Sequence, residues 1–233
     1  MNTATGKIET AVFAIGFTMA GLVLLALLWS GVGAYVDMAR ANGVPGATFY
    51  DHATGSNSVQ LDLAALAEQH RAWSEYVTGG RQDPPALGTL YTEDESAHMT
   101  DVRHVFDGVK ILIPAGLFVM ALRLQRARSR GLDSMLRLAR DGAVAAGVLV
   151  AAVGIVAALA FDQAFLLFHE VFFPQGNFLF DPATSNLVRL YPDWYWQGIT
   201  FRVGLSFIAV AAVVAIAAAG GLRRARSTRL ATA

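Results

Sequence analysis

Four stretches of this chain are long and apolar enough to cross a lipid bilayer, and no other feature constrains the fold as strongly. A crossing takes about 20 apolar residues. Lipid offers no water to pair with backbone N–H and C=O groups, so each span must satisfy them internally as a helix. Spans are expected near residues 11–36, 103–123, 143–168 and 198–221. The predicted fold is an all-α polytopic membrane protein with four transmembrane helices and an extracytoplasmic cap.

Arginine placement orients the helices. Arg123, Arg126, Arg128, Arg130, Arg137 and Arg140 fall between spans 2 and 3, and Arg223, Arg224, Arg226 and Arg229 follow span 4. Positive residues favour the cytoplasmic side. Residues 1–36 are then a cytoplasmic N-terminus and helix 1, and 37–102 form the cap. Helix 2 covers 103–123, an Arg-rich cytoplasmic loop 124–142, and helix 3 residues 143–168. An aromatic outer segment covers 169–197, helix 4 residues 198–221, and a cytoplasmic tail 222–233. The cap holds ten carboxylates against Arg40, Arg71 and Arg81, so the formal net charge of zero hides an asymmetry across the membrane. Ala39-Arg40-Ala41 resembles a signal cleavage site, but the apolar run before it exceeds a typical h-region of about 7–15 residues, and an uncleaved anchor is expected.

Within the cap, Leu66, His70, Trp73 and Val77 share one face of a helix expected from about Leu61 to Val77. Thr92-Glu93-Asp94-Glu95 reads as a capping box, with Thr92 as N-cap, opening a helix that continues into span 2. Pro114 should kink that span.

Chemistry-bearing residues are few. The chain has no cysteine, which excludes disulfides, thiolate metal sites and cysteine nucleophiles. HExxH and GxSxG motifs, a P-loop and a dinucleotide fingerprint are also absent, and no cofactor, metal or nucleic-acid partner is expected. His98 and His169 stand out because topology puts both at the outer surface. His98 and Asp101 share a helix face at i, i+3, where a carboxylate can orient an imidazole and raise its basicity. The same spacing equally suits an interfacial histidine and an acid favoured by the helix dipole. His169 and Glu170 lie beside Phe172 and Phe173, a setting that fits a dry pocket or an interfacial aromatic belt. Asp162 and Arg202, inside spans 3 and 4, form a further ion pair candidate of structural or functional use.

Two segments carry a resemblance. Glu95-Ser-Ala-His98-Met-Thr-Asp101-Val102-Arg103, and Phe168-His169-Glu-Val-Phe172-Phe173-Pro-Gln-Gly-Asn177-Phe-Leu-Phe180-Asp181-Pro182 continuing to Leu190-Tyr191-Pro192-Asp-Trp-Tyr-Trp196, resemble motifs of the bacterial four-span family that includes the lipoprotein intramolecular transacylase. Phe178 stands where the family often has Trp.

The resemblance implies a plasma-membrane acyltransferase that moves the sn-2 acyl chain of a diacylglyceryl-cysteine lipoprotein onto the cysteine α-amine. It implies His98 and His169 as the catalytic pair. Asp101, Glu170 and Arg103 would support them, and Phe168, Phe172, Phe173, Phe180, Tyr191, Trp194 and Trp196 would wall the pocket. The partners implied are the lipoprotein and membrane lipid. One imidazole would take a proton from the amine, and the other, protonated, would stabilise the oxyanion. Two further readings compete: a membrane lipid or lipoprotein ester hydrolase using the same pair, and a non-catalytic transporter subunit or assembly factor with belt histidines.

Overall fold

The structure is a computed structural model that describes residues 3–231. The ends of the expected cytoplasmic N-terminus and tail, residues 1–2 and 232–233, lie outside the described residues. In chain order the elements are α1 (Thr3–Trp29), α2 (Val32–Ala41), β1 (Gly46–Asp51), β2 (Ser56–Asp62), α3 (Leu63–Thr78), α4 (Glu93–Lys110), α5 (Leu112–Ser129), α6 (Leu132–Leu159), α7 (Phe161–Phe172), α8 (Asn186–Leu190) and α9 (Asp193–Ala231). Four helical runs are long and apolar enough to cross a membrane, Thr5–Trp29, Glu93–Ser129, Leu132–Leu159 and Asp193–Thr228.

The boundaries differ from the hydropathy pattern where local chemistry breaks a helix. Span 1 stops at Trp29, and Val32–Ala41 is a separate helix with Tyr35, Met38 and Ala39 buried. Pro114 lacks an N–H, and its ring collides with the carbonyl of residue 110, so the expected kink becomes a break at Ile111 between α4 and α5. The third run breaks at Ala160, with φ −139 and ψ 51, and α7 starts anew. Most of the stretch expected as a loop over 124–142 is helical, and only Arg130 and Gly131 separate α5 from α6. The cap also contains β1 and β2, an antiparallel hairpin with a bulge after Phe49 that an all-α reading omits.

Among the described residues, one compact unit comprises 3–25, 110–159 and 202–231. Phe13, Phe17, Ala143, Ala146, Phe207 and Ala211 pack its interior. Its outside carries Val148, Val153, Ile155, Val156, Val213 and Ile216, all well exposed. In water such a surface would drive aggregation, whereas lipid solvates it. Helices α1 and α5 approach closely at small residues, as expected where packing rather than hydrophobic exclusion joins helices.

The other unit comprises Ala26–Val109 and Ala160–Phe201. Its core is aromatic, built on Tyr35, Phe49, Trp73, Tyr91, Tyr191 and Tyr195. The face expected on α3 points inward, with Leu66, His70, Trp73 and Val77 all buried. Asp62 caps α3 by accepting from the Ala65 N–H at 2.8 Å, and Gly79 ends it in the left-handed conformation at φ 84. The carbonyl of Ser30, released where α1 ends, accepts from His70 Nε2 at 3.0 Å and from Ser74 Oγ at 2.7 Å. The capping box forms as expected, with Glu95 N donating to Thr92 Oγ1 at 3.1 Å and Thr92 N to Glu95 Oε2 at 3.0 Å.

A Cβ on Gly116 would lie 2.5 Å from the Gly16 carbonyl and 2.9 Å from Ala20 Cβ, whereas one on Gly204 meets nothing within 4 Å. Gly116→Val should therefore destabilise by about 1–3 kcal/mol. Detergent-solubilised Gly116→Val should melt several degrees below the wild type, with Gly204→Ala unchanged. A second expectation concerns acid. Burial holds His70 down at about 4, against about 6.5 in the unfolded chain. Below pH 6.5 the unfolded chain takes a proton that the folded chain refuses, so this stabilisation is complete above 6.5 and disappears toward 4. The difference is worth about 3 kcal/mol, and Tm should fall across that window more steeply than in His70→Phe.

Candidate active site

His98 sits in the second turn of α4 and His169 in the last turn of α7. Both lie in the same compact unit, 7% and 8% exposed. Their rings are nearly parallel, 19° apart, with centroids at 6.2 Å. That separation lets one small reacting group come within reach of both.

The walls are phenylalanine. His98 contacts Phe173 at 4.9 Å and Phe180 at 5.6 Å between centroids. His169 contacts Phe165 at 4.2 Å, Phe178 at 5.1 Å, Phe168 at 5.4 Å and Phe173 at 5.6 Å. Of the expected pocket residues, Phe168, Phe173 and Phe180 thus touch the imidazoles. Phe172 packs on Phe168, and Trp196 on Phe165. Tyr191 and Trp194 do not wall the pair; they belong to the cap core, Tyr191 against His70 and Trp194 against Tyr35. Phe165 and Phe178 complete the wall instead. Phe165 precedes His169 by one helical turn, a spacing that could have placed it.

The supporting residues separate in the same way. Asp101 does not bond His98; its Oδ2 accepts from Asn177 Nδ2 at 2.6 Å and Gln175 Nε2 at 2.9 Å. Its Oδ1 faces His104 Nδ1 at 4.0 Å. Arg103 stitches the cap, donating through Nη1 to the carbonyls of Arg81 at 2.8 Å and Gln82 at 2.7 Å, with its guanidinium 4.8 Å over the Tyr76 ring. Glu170 points outward and is exposed. Among the described residues, no three His, Asp or Glu side chains converge as a metal site.

The two imidazoles are electrostatically distinct. Burial drives His98 down to about 4, helped by the neighbouring His169 and opposed by Asn177 and Asp101. Burial also lowers His169, and its bond to the Phe165 carbonyl opposes the shift. That bond spans 2.8 Å from Nδ1. A carbonyl only accepts, so Nδ1 carries the hydrogen and Nε2 keeps a lone pair. Such an arrangement suits proton acceptance in a dry, apolar setting.

Beside the pair lies a cavity of about 350 Å³, lined by Asp94, Ala97, Gly176, Asn177, Leu179 and Phe180. It joins polar and apolar walls, as an amphiphilic substrate would require.

A family model described as lipoprotein intramolecular transacylase Lit matches residues 18–196. No curated protein sequence matches the chain. Among solved structures, the membrane-integral lipoprotein intramolecular transacylase Lit from Bacillus cereus is similar, at 15% identity and a TM-score of 0.73, covering 97% of this chain and 99% of that one. A structure of the Bacillus cereus protein with a histidine replaced by arginine gives 14% identity and 0.72, covering 97% and 95%. One with a histidine replaced by alanine gives 14% and 0.72, covering 96% of each. The structural likeness carries the fold, and the sequence match over residues 18–196 carries the family. This chain belongs to the lipoprotein intramolecular transacylase family of membrane acyltransferases.

Proposed function

We propose that this chain moves the sn-2 acyl chain of a diacylglyceryl-cysteine lipoprotein onto the α-amine of the same cysteine, with His98 and His169 carrying the protons. The observation that supports this most directly is two buried imidazoles 6.2 Å apart within phenylalanine walls. The arginines after spans 2 and 4 favour cytoplasmic termini and an extracytoplasmic cap in a bacterial plasma membrane. The partners are then the diacylglyceryl lipoprotein and the surrounding lipid.

Proton accounting matches the pair. An α-amine with an ordinary pKa of about 8 arrives largely as an ammonium. Its nitrogen bears three hydrogens, and the amide nitrogen of the product bears one. One of the two departing protons ends on the glyceryl oxygen and the other in solvent. His169 Nε2 accepts the first, freeing the amine to attack the ester carbonyl. As the tetrahedral intermediate collapses, the His169 imidazolium returns its proton to the leaving oxygen while the C–O bond breaks, and His98 takes the second proton on its way to solvent. The expected resting state with one protonated imidazole gives way to two neutral rings, since burial disfavours charge on both. The cation that stabilises the oxyanion comes from the substrate's own proton. Amine and ester belong to one molecule, so proximity supplies much of the rate.

The reaction is an isomerisation, and intact mass does not change. Tandem mass spectrometry of a reporter lipoprotein, expressed in a host lacking other N-acylation, should place one acyl chain on the cysteine nitrogen. Diacylglyceryl-cysteine left unmodified by a well-expressed, folded protein would sink the reading, and loss of one acyl mass would favour the ester hydrolase. His98→Ala and His169→Ala should each lower conversion by about 100-fold or more while the proteins stay folded. In ring-¹⁵N-histidine NMR, both residues should titrate below 6.5, His98 near 4. A titration of either at or above 6.5 would remove the two-neutral-ring mechanism.

A further inference from the structure

We propose that Asn177 is a positioning residue that sets which nitrogen of His98 carries the hydrogen, and that Asp101 bears on that choice by holding Asn177 in one orientation. The proposal rests on the reading of His98 as a proton carrier.

Asp101 lies one turn beyond His98 on α4, where direct contact would be the obvious support. Its Oδ2 is instead occupied by Asn177 Nδ2 at 2.6 Å and Gln175 Nε2 at 2.9 Å. Between the two amides, Gly176 adopts the left-handed conformation at φ 78, which turns the chain so that both side chains reach one carboxylate. A carboxylate oxygen accepts and an amide NH₂ donates, so the ends of Asn177 are not interchangeable here. The NH₂ must face Asp101, and Oδ1 must face away from it.

Facing away, Oδ1 is buried with no hydrogen-bond partner, and so is Nδ1 of His98. A buried polar atom left alone is costly, and two complementary ones can offset that cost by pairing. Asn177 also raises the proton affinity of His98, the sign expected when an oxygen accepts from the ring. An acceptor at Nδ1 puts the hydrogen there and leaves the Nε2 lone pair for substrate. The Phe165 carbonyl does the same for His169 at 2.8 Å. One ring is thus set by backbone, and the other by a carboxylate acting through an amide.

The test reads the tautomer directly. The chain has five histidines, so ring-¹⁵N signals can be assigned with His→Gln variants. At pH 7 wild-type His98 should be the Nδ1–H tautomer. Asn177→Ala and Asp101→Ala should each shift it toward a mixture, and Asp101→Glu should keep it. Turnover should fall roughly 100-fold in Asn177→Ala and Asp101→Ala with KM little changed, and Asp101→Glu should recover part of the loss. If His98→Ala abolishes transfer while Asn177→Ala leaves both tautomer and turnover unchanged, this proposal fails and the acyltransferase mechanism stands. If His98→Ala leaves transfer intact, the mechanism itself fails. A wild-type Nε2–H tautomer overturns the assignment of Asn177 whatever the activities.

Discussion

One buried carboxylate holds the reactive unit together. Glu95 is 1% exposed, and its Oε1 accepts from Ser185 Oγ at 2.6 Å and Leu187 N at 2.8 Å while Oε2 closes the capping box. The donors come from the start of its own helix and from a segment 90 residues away. A buried carboxylate is tolerable only when its lone pairs are taken up in this way. Because Glu95 precedes His98 by three residues, fixing it fixes the rotation of α4 and the direction of the imidazole. Asn186, fully buried, adds the second tie, donating through Nδ2 to the Tyr50 carbonyl at 2.7 Å and accepting from Tyr50 N at 2.8 Å. The loop that carries Asn177 and Phe180 is therefore anchored at its far end to both the hairpin and α4.

The four spans were legible because lipid imposes one rule on every residue inside it. Their ends were not, because hydropathy does not register a helix break. Phe161–Phe172 is as apolar as the span before it, yet Ala160 leaves helical geometry and α7 becomes an independent element. The hairpin was hidden differently. Thr48-Phe49-Tyr50 and Val59-Gln60-Leu61 carry strand-forming residues about a Gly55 turn at φ 67, a signal overshadowed by the helix pattern beside it. Each histidine was visible singly, but pairing residues 71 positions apart requires the fold. Aromatic type did not tell which cluster a ring joins. Tyr191 and Trp194 went to the cap core, and Phe165 and Phe178 to the site.

The phenylalanine wall has two effects that pull together. It keeps water from the imidazoles, which in the proposed reaction would guard the ester against hydrolysis, and it makes every hydrogen bond and charge in the site weigh more. The same dryness denies either imidazole a resting charge. Chemistry that needed a permanently protonated group would be poorly served here. A reaction whose substrate brings its own proton, as in the proposed transfer, is well served, because such a site would become charged only once the ammonium had entered.

Burial alone does not mark the reactive residues, and His70 shows why. It is more deeply buried than His98 or His169, and burial drives it as low as His98, to about 4. Yet both its nitrogens are spoken for, Nε2 by the Ser30 carbonyl at 3.0 Å and Nδ1 by the Tyr191 hydroxyl at 3.3 Å, while Tyr35 stacks on its face at 4.4 Å. A proton reaching that ring would have to displace a bond already made, so His70 serves as a cross-link. Among the described residues, His169 commits only Nδ1, to the Phe165 carbonyl. Among the described residues, His98 Nδ1 has no hydrogen-bond partner, and the ring lies against Phe173 and Phe180. Of three buried, weakly basic histidines, the two with a nitrogen to spare are the two that face each other. Unspent hydrogen-bonding capacity, more than proton affinity, separates the candidate catalysts from the scaffold.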